Sequence, residues 1–440
     1  MKKLLSLLLA LMMVLSLGCA FAEGTPVEIT FWHAMGGVNG EAIVKLVEDF
    51  NAAYEGKIHV NYEYQGDYDS AFTKIQAAGM NSIPCDLMQV YDIGTRFMID
   101  SGWIKPVQEF IDAEDYDISQ IEPNIAAYYT VDGKLYSMPF NSSTPTLYYN
   151  KTAFAEAGLD PEVAPKNFDE LFEMARKLEV KNEDGTVKRY GFGMGNYGWF
   201  FEQWTGKMGL HYVDNNNGRG EAPATKVIFD ENGAGEAILN VWQKYVDEGY
   251  PYLNQGNNDA KAAFIAGDIA MTLESTAALK SLLTNVGDDF EIGVGYFPSI
   301  NADDKGGVSV GGGSLWAFNT GDEARQNATW EFIKFMIAPE QQAFWSAQTG
   351  YFPITVATHE LEAFKENIEQ YPQFQIAINQ LHDSAPEYAG ALLSVFSESR
   401  QLVQNYTERL VNGEMDVKTC VEKLAAEINS AIEIYNLTNY

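Results

Sequence analysis

The chain has 440 residues, 46% hydrophobic and 20% charged, enough for a large buried core and, at roughly 150 residues per domain, two or three domains or lobes. Its formal charge of −32 argues against nucleic acid or anionic lipid as partners. A small anion in a cleft stays possible, because charges beyond about 8 Å are largely screened at physiological salt.

Residues 1–22, MKKLLSLLLALMMVLSLGCAFA, read as a secretory signal peptide, with a basic start, an apolar run and an Ala-Phe-Ala ending. Cleavage after Ala22 is expected, which places the mature protein in the periplasm or at the extracellular face of the cell membrane. Lipid anchoring through Cys19 is the alternative, although Ser16 stands where lipoprotein processing sites carry Leu. Loss of Lys2 and Lys3, with no acid in the segment, moves the charge from −32 to −34. Cys85 and Cys420 remain, too far apart to form a disulfide framework, and buried free thiols are expected. Beyond residue 22 no stretch reaches the roughly 20 apolar residues of a membrane span.

The mature chain opens with the strand-like PVEITFWHA, then GEAIVKLVEDFNAAY, in which Ile43, Leu46, Val47 and Phe50 recur at helical spacing. KIHVNYEY alternates as a strand, DSAFTKIQAAGM is helical, and CDLMQVY is a short buried strand. This order predicts βαβ units and a mostly parallel sheet. It recurs later: NFDELFEMARKLE and AGEAILNVWQKYVDEGY are helices, KAAFIAGDIAMTLES is helix then strand, and EIGVGYFP and GGGSLWAFN are strands. From residue 322 the chain is mainly helical. No long linker separates the halves, so two lobes joined by short crossing strands are expected.

Catalytic chemistry finds little support. The five histidines are scattered, no metal-ligand spacing occurs, and neither a Gly-x-Ser-x-Gly elbow nor a phosphate loop is present. An exported hydrolase is therefore the weakest reading, and neither a cofactor nor a metal is expected. Aromatic residues gather near strand ends and Gly-rich turns, a composition suited to a cleft for polyols or sugars. PFNSSTPTLYYNK is unusual because small hydroxyl and amide side chains interrupt apolar residues that look buried.

ITFWHAMGG, GDYDSAF, QVYDIG, PFNSSTPTLYYNKTAFAEAGLDP, GGGSLWAF and TGYFPIT occur in this order. Together they resemble the glycerol-3-phosphate-binding proteins of bacterial ABC importers, a branch of the family 1 extracellular solute-binding proteins. The resemblance covers essentially the whole mature chain. It implies two α/β lobes, each a mostly parallel sheet flanked by helices, closing on a ligand between them. The implied division is residues 23–142 with 312–345 in one lobe and 143–311 with 346–440 in the other. FNSSTPTLYY would be a crossing strand, its hydroxyls facing the cleft.

The resemblance also implies the contacts. Tyr68, Asp92 and Trp199 would meet the polyol, Ser143 and Ser275 the phosphate, and Gly312 and Tyr351 would complete the site. Arg400, thirteen residues before Gly413, would be the arginine. Asp92 replaces the family's Glu and Asn196 one of its tryptophans, so the polyol end departs from the pattern. The implied partners are a small phosphate ester and the permease subunits of the importer, with the protein itself a monomer. A receptor for neutral sugars or oligosaccharides is the alternative. Arg400 is the only full cation the resemblance brings to the site, and Arg400→Ala is expected nearly to abolish binding with little effect on the ligand-free melting temperature.

Overall fold

The computed structural model describes residues 25–79, 83–251 and 253–440. The signal segment and Cys19 lie outside them. The opening units form as their patterns require. Val27–His33 (β1) and Ile58–Tyr64 (β2) pair in parallel, and Gly37–Ala53 (α1) between them buries Ile43, Leu46, Val47 and Phe50. Tyr68–Ala78 (α2) is capped by Asp67, whose carboxylate accepts from Ser70 N at 2.9 Å, and it leads to Leu87–Tyr91 (β3), parallel to β1.

Met138–Ser143 (β4) and Pro145–Asn150 (β5) are consecutive and buried throughout, with Thr144 alone between them. Further along come Phe168–Leu178 (α3), Gly198–Lys207 (α4), Ala234–Asp247 (α5), Met271–Ser275 (β6), Leu279–Val286 (α6), Ile292–Tyr296 (β7) and Gly311–Ala317 (β8). Glu323–Met336 (α7), Pro339–Thr349 (α8), Phe396–Val411 (α9) and Val417–Asn439 (α10) supply the helical last quarter.

The strands make a five-stranded sheet, β2-β1-β3-β8-β4, and a three-stranded one, β6-β5-β7. The fold is accordingly two-lobed α/β, with strand crossings from β4 to β5 and from β7 back to β8, and a third passage into α9 and α10, which pack on α4 and α5. Strand directions are more mixed than the sequence pattern predicts. β8 runs antiparallel to both β3 and β4, and β5 runs antiparallel to both β6 and β7. The physical reason is the crossing itself. Each inserted antiparallel strand has just arrived from the other sheet, so no helix has turned it round to match its neighbours. The tail also distributes differently from the division read in the sequence. Phe352 N bonds Ser142 O at 2.9 Å, and Phe352, Ile354, Phe364 and Leu381 pack in the core of the first sheet. Cys85 and Cys420 are buried free thiols.

β8 enters between its neighbours on glycines. A Cβ on Gly311 would lie 2.5 Å from the Trp199 ring, and one on Gly312 would lie 1.9 Å from the Asn141 carbonyl oxygen, at a φ of +88°. Gly312→Ala is expected to cost at least about 1–3 kcal/mol from backbone strain alone, before the clash is counted. A thermal melt should show a clear drop in melting temperature, and an unchanged one would contradict this packing.

Candidate functional site

Four helices begin at the junction of the two sheets. Gly36–Asn39 at the start of α1, Tyr68 at the start of α2, and Tyr197 and Trp199 at the start of α4 line one cavity of about 400 Å³. Ser275, Ala277 and Ala278 on the turn into α6 line it too. Helix N-termini present unpaired N–H groups and a positive dipole end. The start of α1 has neither a side-chain cap nor an acidic residue in its first turn, so nothing within the helix offsets its dipole. All eight residues assigned from sequence, Tyr68, Asp92, Ser143, Trp199, Ser275, Gly312, Tyr351 and Arg400, line this cavity.

Neutral groups are positioned by a buried relay. Ala34 N donates to Gln89 Oε1 at 3.0 Å, Gln89 Nε2 to Asn141 Oδ1 at 2.8 Å, and Asn141 Nδ2 to the Tyr68 hydroxyl at 2.6 Å. The Tyr68 hydroxyl is also hydrogen-bonded to the Tyr351 hydroxyl, and burial holds its pKa well above the usual phenol range. The Tyr68 ring stacks on Tyr91 with centroids 5.4 Å apart, and Tyr351 stacks on Trp345 at 5.5 Å. The Trp199 indole N–H is buried without a hydrogen-bond partner among the described residues. Ser275 caps the turn into α6, its hydroxyl accepting from Ala277 N at 3.2 Å. Ser143, at the end of β4, is buried and opposite Gly311.

The charged groups form a tight cluster. Arg400 donates through Nε and one terminal nitrogen to both Glu202 oxygens, at 3.0 and 2.6 Å, and the same nitrogen reaches Asp92 Oδ2 at 2.9 Å. All three side chains are about nine-tenths buried or more. Local sequence explains the contact: a Cβ on Gly198 would lie 2.5 Å from the Arg400 carbonyl oxygen, so glycine there lets α4 touch α9. Glu202, four residues on, occupies the same helix face. Burial pushes the Glu202 carboxyl up to about 7 against the pull of Arg400, and pushes Asp92 up against the same pull. The resemblance implied Asp92 and Arg400 as separate ligand contacts, and here the two also touch each other.

Sequence reasoning missed several lining residues. Gly36–Asn39 carry no distinctive side chain, and only their place after β1 could have marked them, since helix starts beyond strand ends form ligand crevices. Lys261 is a second cation on the cavity wall, beside the buried Glu274, whose carboxyl burial raises and Lys261 lowers. Nothing in KAAFIAG sets that lysine apart. Glu202 did leave a signal, as the one charged residue in GWFFEQWTG. Asn196 is buried beneath the site, donating to Gln404 O at 2.8 Å, and the adjacent Tyr197 lines the cavity.

The fold belongs to a known class. Residues 45–375 match the family of bacterial extracellular solute-binding proteins, and the chain belongs to that family. The sn-glycerol-3-phosphate-binding periplasmic protein UgpB of Salmonella typhimurium is 34% identical over 389 residues, covering 86% of this chain and 85% of that one. Its namesake from Yersinia pestis is 34% identical over 371 residues, 82% and 81% of the two chains. Among solved structures, UgpB from Mycobacterium tuberculosis in complex with glycerophosphocholine aligns with a TM-score of 0.77 at 21% identity, covering 94% of this chain and 100% of that one. The GacH receptor of Streptomyces glaucescens aligns at 0.76 and 19% identity, over 93% and 99% of the chains.

The cluster revises the expectation for Arg400. Its removal would leave two buried carboxylates without a counterion, which typically costs about 3–5 kcal/mol. Arg400→Ala is therefore expected to lower the ligand-free melting temperature at pH 8. The loss should shrink towards pH 5, where both carboxyls, raised further without the arginine, take up protons. An equal loss at both pH values would contradict the charge assignment.

Proposed function

We propose that this protein captures sn-glycerol 3-phosphate or a related phosphate ester between its lobes and delivers it to the permease of an ABC importer. The observation that carries the reading is the convergence of helix N-termini, hydroxyls and two cations on one junctional cavity, in a chain that shares a third of its residues with glycerol-3-phosphate-binding relatives. The starts of α1 and α6, with Ser143, Ser275 and Tyr351, supply dipoles for phosphate oxygens, and Arg400 and Lys261 supply charge. Tyr68, Asp92 and Trp199 offer a donor, an acceptor and an apolar face to the glycerol. Gly312 keeps the floor clear of side chain.

A phosphodiester fits the same reading. A vestibule of about 790 Å³ joins the cavity at Tyr68, Tyr91, Tyr197 and Arg400 and runs past Phe72, Phe97 and Tyr435, giving a substituent on the phosphate somewhere to go. Glycerophosphocholine, bound by the mycobacterial relative, is such an ester. The signal-peptide pattern supports export, and among the described residues no helix is long and apolar enough to cross a membrane. The crossings, β4 to β5, β7 to β8 and the passage into α9, are the hinge.

A ligand that binds only the folded state raises its apparent stability, by about 2.7 kcal/mol at a hundredfold excess over Kd. Glycerol 3-phosphate is expected to raise the melting temperature, while glycerol and maltose leave it unchanged. A shift with maltose alone would replace this reading with a neutral-sugar receptor. Small-angle scattering should show a smaller radius of gyration with ligand, and identical curves at saturation would contradict closure.

A further inference from the structure

Glu202 is the one member of the charge cluster that does not line the binding cavity. It stands behind Arg400 and takes two of that residue's hydrogen bonds. Its other side lines a separate small cavity of about 20 Å³ with a mixed lining, His211, Asn217, Ser309 and Glu387 among Leu210, Ala391 and Phe396, and with room for a single water. The ionisable groups facing it come from every packed element. They are Arg400 on α9, Asp92 after β3, Tyr128 on helix Pro123–Tyr129, the largely buried Arg219 stacked on Tyr128 and bonded to Gly390 O, His211 and Tyr212 after α4, and Glu387 and Tyr388 on the turn at 386–388. Lys207 closes the far end of its own helix.

The charge count at the site does not suit a dianion. Asp92, Glu202 and Glu274 against Arg400 and Lys261 leave one net negative charge in a buried region. A phosphate dianion would bring this to three, and Coulomb repulsion grows as water is excluded. The least costly relief is a proton from solvent. Asp92 is poorly placed to take it, because backbone N–H groups of its own turn favour its ionised form. Among the described residues Glu202 has Arg400 as its only hydrogen-bond donor, and it borders a cavity with room for a water.

We infer that capture of a dianionic phosphate ester is coupled to uptake of one proton by the Glu202 carboxylate, which from behind Arg400 sets how much positive charge that residue presents to the ligand. Glu202 is thus a positioning residue whose protonation state tunes the site. Burial already raises its carboxyl to about 7, so near neutral pH a modest added negative potential suffices to protonate it. A monoanionic phosphodiester adds half the charge and draws less proton uptake. The site therefore favours the diester increasingly as pH rises.

This inference rests on phosphate esters binding in the cavity, and titration calorimetry separates the two questions. Binding of glycerol 3-phosphate is measured at pH 8, where the ligand (second phosphate pKa about 6) is fully dianionic, in two buffers of unlike ionisation enthalpy. The wild type should take up close to one proton per ligand. Its Kd should then rise by up to about tenfold per pH unit above neutrality, as linkage requires. Glu202→Gln should bind with no net uptake and a flat pH profile, while Glu274→Gln keeps the uptake. Wild-type binding without proton uptake overturns the inference even if no variant folds, as does full uptake by Glu202→Gln. Absence of binding by the wild type overturns the phosphate-ester reading instead, and this inference with it.

Discussion

Moving a guanidinium and two carboxylates out of water costs several kcal/mol for each ion, and only tight mutual contact offsets it. Arg400, Asp92 and Glu202 meet that condition, and much of the molecule is arranged so that they can. The three residues come from segments more than a hundred positions apart. β3 ends so that Asp92 begins the next turn, α4 carries Glu202, and α9 lies across both. Gly198 lets α4 and α9 approach within backbone contact, and without it the guanidinium would stand off its carboxylates. Such clusters are seldom the most stabilising use of a buried position, so one at the edge of a ligand cavity points to a functional role.

Around this cluster the two strand crossings decide where the cavity lies. β4 and β5 pass between the sheets with a single residue between them, and β8 returns alongside β4 on three glycines. Because both strands are buried on every side, their polar residues must be satisfied internally. The relay from Ala34 through Gln89 and Asn141 to Tyr68 does this for Asn141, and in doing so fixes the ring that faces the ligand. The run of small hydroxyl and amide side chains in the first crossing is where a two-lobed protein needs polar groups that are buried yet accessible to a bound molecule.

Much of this was legible in the sequence. Alternation in KIHVNYEY and helical spacing in EAIVKLVEDF gave elements that the structure reproduces. The motif-bearing stretches gave eight residues that converge on one cavity. What was illegible has physical causes. Strand direction in a crossing depends on which sheet the chain has just left, and periodicity carries no record of that. Lys261 sits on an ordinary amphipathic helix, so its approach to Glu274 is purely a tertiary fact. The Asp92–Arg400 contact joins residues 308 positions apart, and nothing in the spacing of the motifs shows it. Glu202 was visible as an acid among aromatics, but its meaning depended on knowing what lay across the helix interface.

The central claim is that one buried cavity, bounded by helix N-termini and by the Arg400 cluster, receives a phosphate ester. A crystal structure of the protein grown with glycerol 3-phosphate tests it most directly. The account predicts the phosphoryl group inside the cavity, within hydrogen-bonding distance of Ser143, Ser275 and the backbone at the start of α1 or α6, with Arg400 still held by Glu202. A ligand bound outside this cavity, or a phosphoryl group turned to solvent away from the helix starts, would contradict it.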